Sequence, residues 1–132
     1  MKRISVTPLA LFVFGIISSC CKAGLEGDAT VVVFLKHHST IIPNDSIWPD
    51  SVFVYFGQKE LPSDYKTKYD AVFVGEAGED HVHLPNLKCG KYYLFGSGYD
   101  NSIHQRVSGG MAIKIKHSER KQELDVDLPV TE

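Results

Sequence analysis

Among residues able to do chemistry, the six histidines stand out first. His81 and His83 lie two apart in an apolar stretch, so in a strand both project from one face while Val82 and Leu84 take the other. Such a pair could hold a zinc or copper ion if His37 or His38 came close. The plainer expectation is two solvent-facing histidines, because no cysteine or carboxylate is read at ligand spacing in that stretch. Asp100 and Asn101, with Asn44 and Asp45, offer calcium-type oxygens, but neither loop has acids at alternate positions and a closing Glu. They read as turn residues. Ser97, Ser102 and Ser108 near His104 do not sit in a Gly-x-Ser-x-Gly elbow. Lys88 and Lys91 would favour a thiolate at Cys89, but no histidine lies close enough in sequence to act as its base. Glu76, Glu79 and Asp80 could pair as glycosidase acids, yet read better as a solvated acidic turn. No catalytic residue and no cofactor are expected, and the chain is read as a non-enzyme.

The elements that must position these residues are short and β-type. Seven segments are rich in β-branched and aromatic residues or alternate strictly in polarity: 30–36, 51–56, 71–74, 81–84, 91–95, 111–116 and 124–128. Gly, Pro and Asn punctuate the connections, Pro85 is expected to stop the fourth strand, and 96–110 is expected to be the longest irregular stretch. Residues 58–69 are polar, with one helical turn expected at 64–68. No window shows a helical period. The expected fold is all-β, a seven-stranded antiparallel β-sandwich.

Charge and cysteine content narrow the setting. The chain has a formal net charge of −2, and removal of residues 1–19, which contain Lys2 and Arg3 and no acid, makes it −4. A mildly acidic domain lacks the electrostatic footprint of a nucleic-acid binder. Three cysteines are not a disulfide framework. Cys21 and Cys89 could pair in an oxidising compartment, but Cys21 is read as lying on a flexible segment, so both thiols are expected to be unpaired.

The N-terminus carries an address. Lys2 and Arg3 precede an uncharged apolar run over 8–17, followed by Ser18, Ser19 and Cys20. That is the order of a secretory signal, and the apolar run is too short to span a bilayer as a helix. Ile17-Ser18-Ser19-Cys20 resembles the lipobox of bacterial lipoproteins. The resemblance implies cleavage before Cys20, lipidation of Cys20, and attachment to the cell envelope, the outer membrane in particular, with periplasmic and surface-facing orientations both open. Cys21 fits the acceptor position worse, because Ser18 would then stand where an aliphatic residue is preferred. The chain divides into a signal at 1–19, a lipidated tether at 20–28 and a sandwich domain at 29–132.

A second resemblance lies mid-chain. Val82-x-Leu84-x-x-Leu87-x-x-Gly90-x-Tyr92-x-Leu94 resembles the turn region of transthyretin-like (prealbumin) and carboxypeptidase regulatory-like sandwiches. There an apolar residue plugs the turn, a glycine reverses the chain and Tyr-x-Leu enters the next strand. The likeness implies a fold and little chemistry. The one enzyme family on this fold, 5-hydroxyisourate hydrolase, ends in Tyr-Arg-Gly-Ser, whereas this chain ends Asp127-Leu128-Pro129-Val130-Thr131-Glu132.

If each strand runs opposite to the one before, the loops at 37–50, 75–80 and 96–110 share one end. They would gather Trp48, Glu76, Tyr99, Asp100, Asn101, His104 and Arg106 at the end away from the lipid. Aromatic residues with Arg are enriched in binding hot spots. The expected function is a lipid-anchored envelope module, non-catalytic, that binds an envelope protein or a glycan through these loops or serves structurally. The alternative is a metal-binding lipoprotein using His81 and His83.

Overall fold

A computed structural model describes residues 21–132. The signal expected at 1–19 and the expected lipid acceptor Cys20 lie outside the described residues. The rest forms eight strands: β1 (Leu25–His37), β2 (Thr40–Ile41), β3 (Ser51–Phe56), β4 (Ala71–Val74), β5 (Val82–Leu87), β6 (Gly90–Asp100), β7 (Gln105–Ile115) and β8 (Glu123–Pro129). The only helical element among the described residues is a short 3-10 turn, His117–Glu119. One sheet is built around β1, which pairs with β2, β5 and β8, and the other runs β4-β3-β6-β7.

Strict alternation explains how the two sheets meet. Val31, Val33 and Leu35 of β1 point inward, as do Val52 and Val54 of β3, Val82 and Leu84 of β5, and Tyr92 and Leu94 of β6. All of these are fully buried. Each buried Val or Leu contributes about 1.5–3 kcal/mol. The turn segment folds as its residue types suggest. Leu87 is fully buried, Tyr92 and Leu94 share the inner face, and Gly90 adopts φ +150°, where a Cβ would collide with the Ala23 backbone.

Three expectations are corrected. The stretch 96–110 is a strand hairpin, not a loop. β6 and β7 pair without interruption from Gly90↔Ile115 to Asp100↔Gln105. Its glycines and serines suggest a loop, but Gly96 leaves the space that Leu128 and Leu35 fill from the facing sheet, and Gly98 the space that Asp50 and Leu35 fill. Pro85 does not end its strand, because β5 is an edge strand and a missing N–H costs no ladder bond on the open side. The sheets are not wholly antiparallel, because β1 and β8 pair in parallel from Thr30↔Glu123 to Lys36↔Pro129.

The segment read as a tether is tied down. Cys21 and Cys89 form a disulfide with Cα atoms 5.0 Å apart. The Lys88 N–H donates to the Gly24 carbonyl at 2.9 Å. The buried Tyr92 hydroxyl accepts from the Gly24 N–H at 3.0 Å and lies 2.6 Å from the Lys88 carbonyl it donates to. Burial raises the Tyr92 pKa and keeps the hydroxyl protonated as a donor. The disulfide closes a sequence separation of 68 residues. Chain-entropy reasoning gives about 4 kcal/mol for a loop of that length. Reduction, or Cys89→Ser, is expected to lower the unfolding free energy by about 2–4 kcal/mol in urea titrations. An unchanged midpoint would show that the bond adds nothing.

Candidate functional site

At the end of the sandwich opposite the disulfide, the loops converge as strand direction requires. The Trp48 ring stacks on Tyr99, with centroids 5.3 Å apart and planes 22° apart. The Arg106 guanidinium lies 5.0 Å from the Trp48 ring centroid, a cation–π contact. Tyr99 and Arg106 are register partners on β6 and β7, so the hairpin presents both on one face. Trp48 reaches them from the β2–β3 loop and stays 41% exposed.

Arg106 also closes one end of an aromatic groove of about 390 Å³ on the outer face of the β3–β6–β7 sheet. Phe53, Tyr55, Tyr65 and Phe95 line it. Residues 58–69 supply its wall by folding back over the sheet. Tyr65 tilts against Phe95 at 5.1 Å and Tyr69 meets Phe53 edge-on at 5.1 Å. Where one helical turn is expected there is a single hydrogen-bonded turn, with the Lys68 N–H donating to the Asp64 carbonyl at 3.0 Å. The groove residues were missed in the sequence, although the signal was present. In Val52-Phe53-Val54-Tyr55 both parities are apolar, which leaves β3 no wet face.

The remaining expected residues separate into different roles. Asp100 accepts from the Ser102 hydroxyl at 2.6 Å and the Ser102 N–H at 2.9 Å, and its other oxygen lies 2.8 Å from His37 Nδ1. The Ser102 hydroxyl and then His37 hold its carboxyl down at about 2. Asn101 touches Asp45 at 3.4 Å on the surface. His104 sits exposed in the hairpin turn at φ +53°, and no hydrogen bond or ring contact joins it to the Trp48 cluster among the described residues. Asn44 is no calcium ligand. It is buried, and its amide oxygen accepts the Asp50 N–H at 2.8 Å while its amide nitrogen donates to the Glu79 and His81 carbonyls.

His81 and His83 do share a face, as expected, but neither His37 nor His38 joins them. His37 is buried between Asp100 and Glu132 Oε2, 3.1 Å from its Nε2. The carboxylate thought to be missing is Glu79, whose Oε2 lies 3.5 Å from His81 Nε2 and 3.9 Å from His83 Nε2.

One titratable residue was overlooked altogether. Asp50 is fully buried behind the Trp48 loop, and neither carboxylate oxygen has a hydrogen-bond partner among the described residues. Desolvation pushes its pKa up to about 7. No motif marks it, since Pro49-Asp50-Ser51 reads as an ordinary turn.

No protein-family model matches this chain, and comparison with curated proteins and with solved structures gives no match.

The raised Asp50 pKa has a consequence for stability. The folded state holds the proton more tightly than the unfolded chain, so this stability is complete below about pH 4 and is lost as pH rises through about 7. Asp50→Asn, which cannot ionise, should gain stability relative to the parent between about pH 5 and pH 8. Paired thermal melts at both pH values test this, and a parent–variant difference that does not change with pH contradicts it.

Proposed function

We propose that the protein is a lipid-anchored cell-envelope module, non-catalytic, whose sandwich engages an envelope protein or a glycan at the end away from the membrane. The observation that carries this reading is the Trp48–Tyr99–Arg106 cluster, which continues into the aromatic groove through Arg106. An Arg and an aromatic on a rigid hairpin, with a half-exposed Trp stacked on them from a neighbouring loop, are what binding hot spots are made of. A concave, largely apolar site with few polar groups suits a ligand or a partner side chain. The anchor is proposed from the sequence alone. Cys20 carries the lipid, residues 1–19 are removed, and the outer membrane is the destination. The Cys21–Cys89 bond fits an oxidising compartment.

The anchor changes in character once the disulfide is included. The domain is held within one residue of the proposed lipid, since Cys21 follows Cys20 directly. A sandwich so attached stands close to the bilayer, with the Trp48 cluster at the far end of β6. Ten residue steps of strand put that end about 33 Å away. The fold is proposed to be of the transthyretin-like or carboxypeptidase regulatory-like kind. The plugged turn at Leu87, the reversal at Gly90 and the inward Tyr92-x-Leu94 pair support this.

Two outcomes are expected. Cys20→Ser should move the protein from the membrane fraction to the soluble fraction, and continued membrane fractionation contradicts the anchor. Trp48→Ala, Tyr99→Ala and Arg106→Ala together should abolish capture of the partner in envelope crosslinking read by mass spectrometry, because each hot-spot truncation costs about 2 kcal/mol or more. Undiminished capture contradicts the binding end.

A further inference from the structure

On the outer face of the β1 sheet, away from the Trp48 cluster, three ligand-type side chains converge. His81 Nε2 and His83 Nε2 lie 2.9 Å apart, and Glu79 Oε2 is 3.5 and 3.9 Å from them. Four ligands at about 2.0–2.2 Å around a tetrahedral zinc are separated by about 3.3–3.6 Å. The three observed separations bracket that spacing, so one ion can reach all three atoms with small side-chain rotations.

Two further features hold the group ready. Asp80 Oδ1 lies 2.7 Å from His81 Nδ1. A carboxylate only accepts, so Nδ1 is the donor in this contact, which leaves Nε2, the nitrogen on the side of His83 and Glu79, as the one that can offer a lone pair to an ion. That is the carboxylate–histidine arrangement that orients metal-binding imidazoles. The backbone carrying the ligands is clamped from beneath by buried Asn44, whose side-chain nitrogen donates to the Glu79 carbonyl at 3.0 Å and the His81 carbonyl at 2.9 Å. Asn44 N–H adds a third bond to Glu79 at 2.9 Å. The Phe34 ring on neighbouring β1 packs at 5.5 Å against His81. The turn and edge strand are therefore fixed by contacts that do not depend on an ion. The side chains of His81, His83 and Glu79 remain 23%, 49% and 36% exposed, so an ion can enter and a fourth position faces water.

The second histidine cluster, His37 with His38 and Glu132, is a weaker site. Both ring nitrogens of buried His37 already face carboxylates, Asp100 on one side and Glu132 on the other.

We propose that Glu79, His81 and His83 bind a divalent transition-metal ion of the zinc class, with Asp80 as the positioning residue for His81. Two imidazoles and one carboxylate suit zinc and its borderline neighbours in preference to calcium or magnesium, which take oxygen ligands. Three protein ligands with an open position describe a site that exchanges its ion or offers it to a further ligand, unlike a closed four-ligand structural site. The inference stands on different residues from those of the proposed binding end.

The test is titration of the untagged full chain, purified in detergent, with Zn2+ alone by calorimetry and with Co2+ by visible absorption. The expected result is one ion per chain with tetrahedral Co2+ bands. Both should be lost in the His81→Asn, His83→Gln double variant and retained in His38→Ala. Asp80→Asn should weaken Zn2+ binding by about 10- to 100-fold. The ligands lie on the surface, and a circular-dichroism melt matching the parent's establishes that each variant is folded. The proposal is overturned by absence of binding at one equivalent, by equal affinity in the double variant, or by loss of binding in His38→Ala.

Discussion

The parallel pairing of β1 with β8 is the constraint on which the rest of the structure depends. It brings the first and last strands of the chain together over seven register pairs and leaves β1 bonded on both sides. A strand so placed must be apolar on its inner face, and Val31, Val33 and Leu35 are fully buried. The pairing also carries the C-terminus to the loop end of the sandwich. There Thr131 bridges to Ser108 and Glu132 reaches His37. Every feature of functional interest is then measured from a β1 that cannot slide, because a one-residue slip would turn its buried face outward.

The two ends of the sandwich are built by different physics. At the N-terminal end, covalent and buried polar contacts dominate. The Cys21–Cys89 bond, the Tyr92 hydroxyl and the Gly24–Lys88 hydrogen bond hold a segment whose composition would otherwise leave it loose. At the loop end, Asn44 is the organiser. Its side chain bonds backbone groups of Asp50, Glu79 and His81, so one buried amide links the Trp48 loop to the turn that carries the metal-type ligands. Buried amides are retained where all their bonds are made, and Asn44 meets that condition while Asp50 beside it does not. A buried carboxyl without partners stores a cost at the base of the proposed binding end.

Sequence reasoning was accurate where the signal was local. The alternating segments became strands, and Leu87, Gly90, Tyr92 and Leu94 took the positions their types suggest. Even the relation of the loops followed, since the seven expected segments do alternate in direction once the two-residue β2 is set aside. The same alternation gives the first and last segments the same direction, so their pairing had to be parallel once they became neighbours. What failed were judgements from composition alone. Gly96, Gly98, Gly109 and Gly110 suggest a loop, yet they lie in a hairpin that needs their missing side chains, Gly96, Gly98 and Gly109 where residues from across the sandwich approach and Gly110 where the Tyr93 ring of β6 lies.

The sequence by itself determined the β class, the inward and outward faces of the strands that alternate in polarity, and which loops share an end. These follow from a period of two residues and from the direction reversals of short connections. Only the tertiary structure decided that Cys21 meets Cys89, that Trp48 lies over Tyr99 and under Arg106, and that Glu79 joins His81 and His83. It also decided that Asp50 is buried without a hydrogen-bond partner among the described residues. Each of these depends on sheet order and on how far a turn folds back. Sheet order is set by the burial of many side chains at once, and no single stretch of residues encodes it.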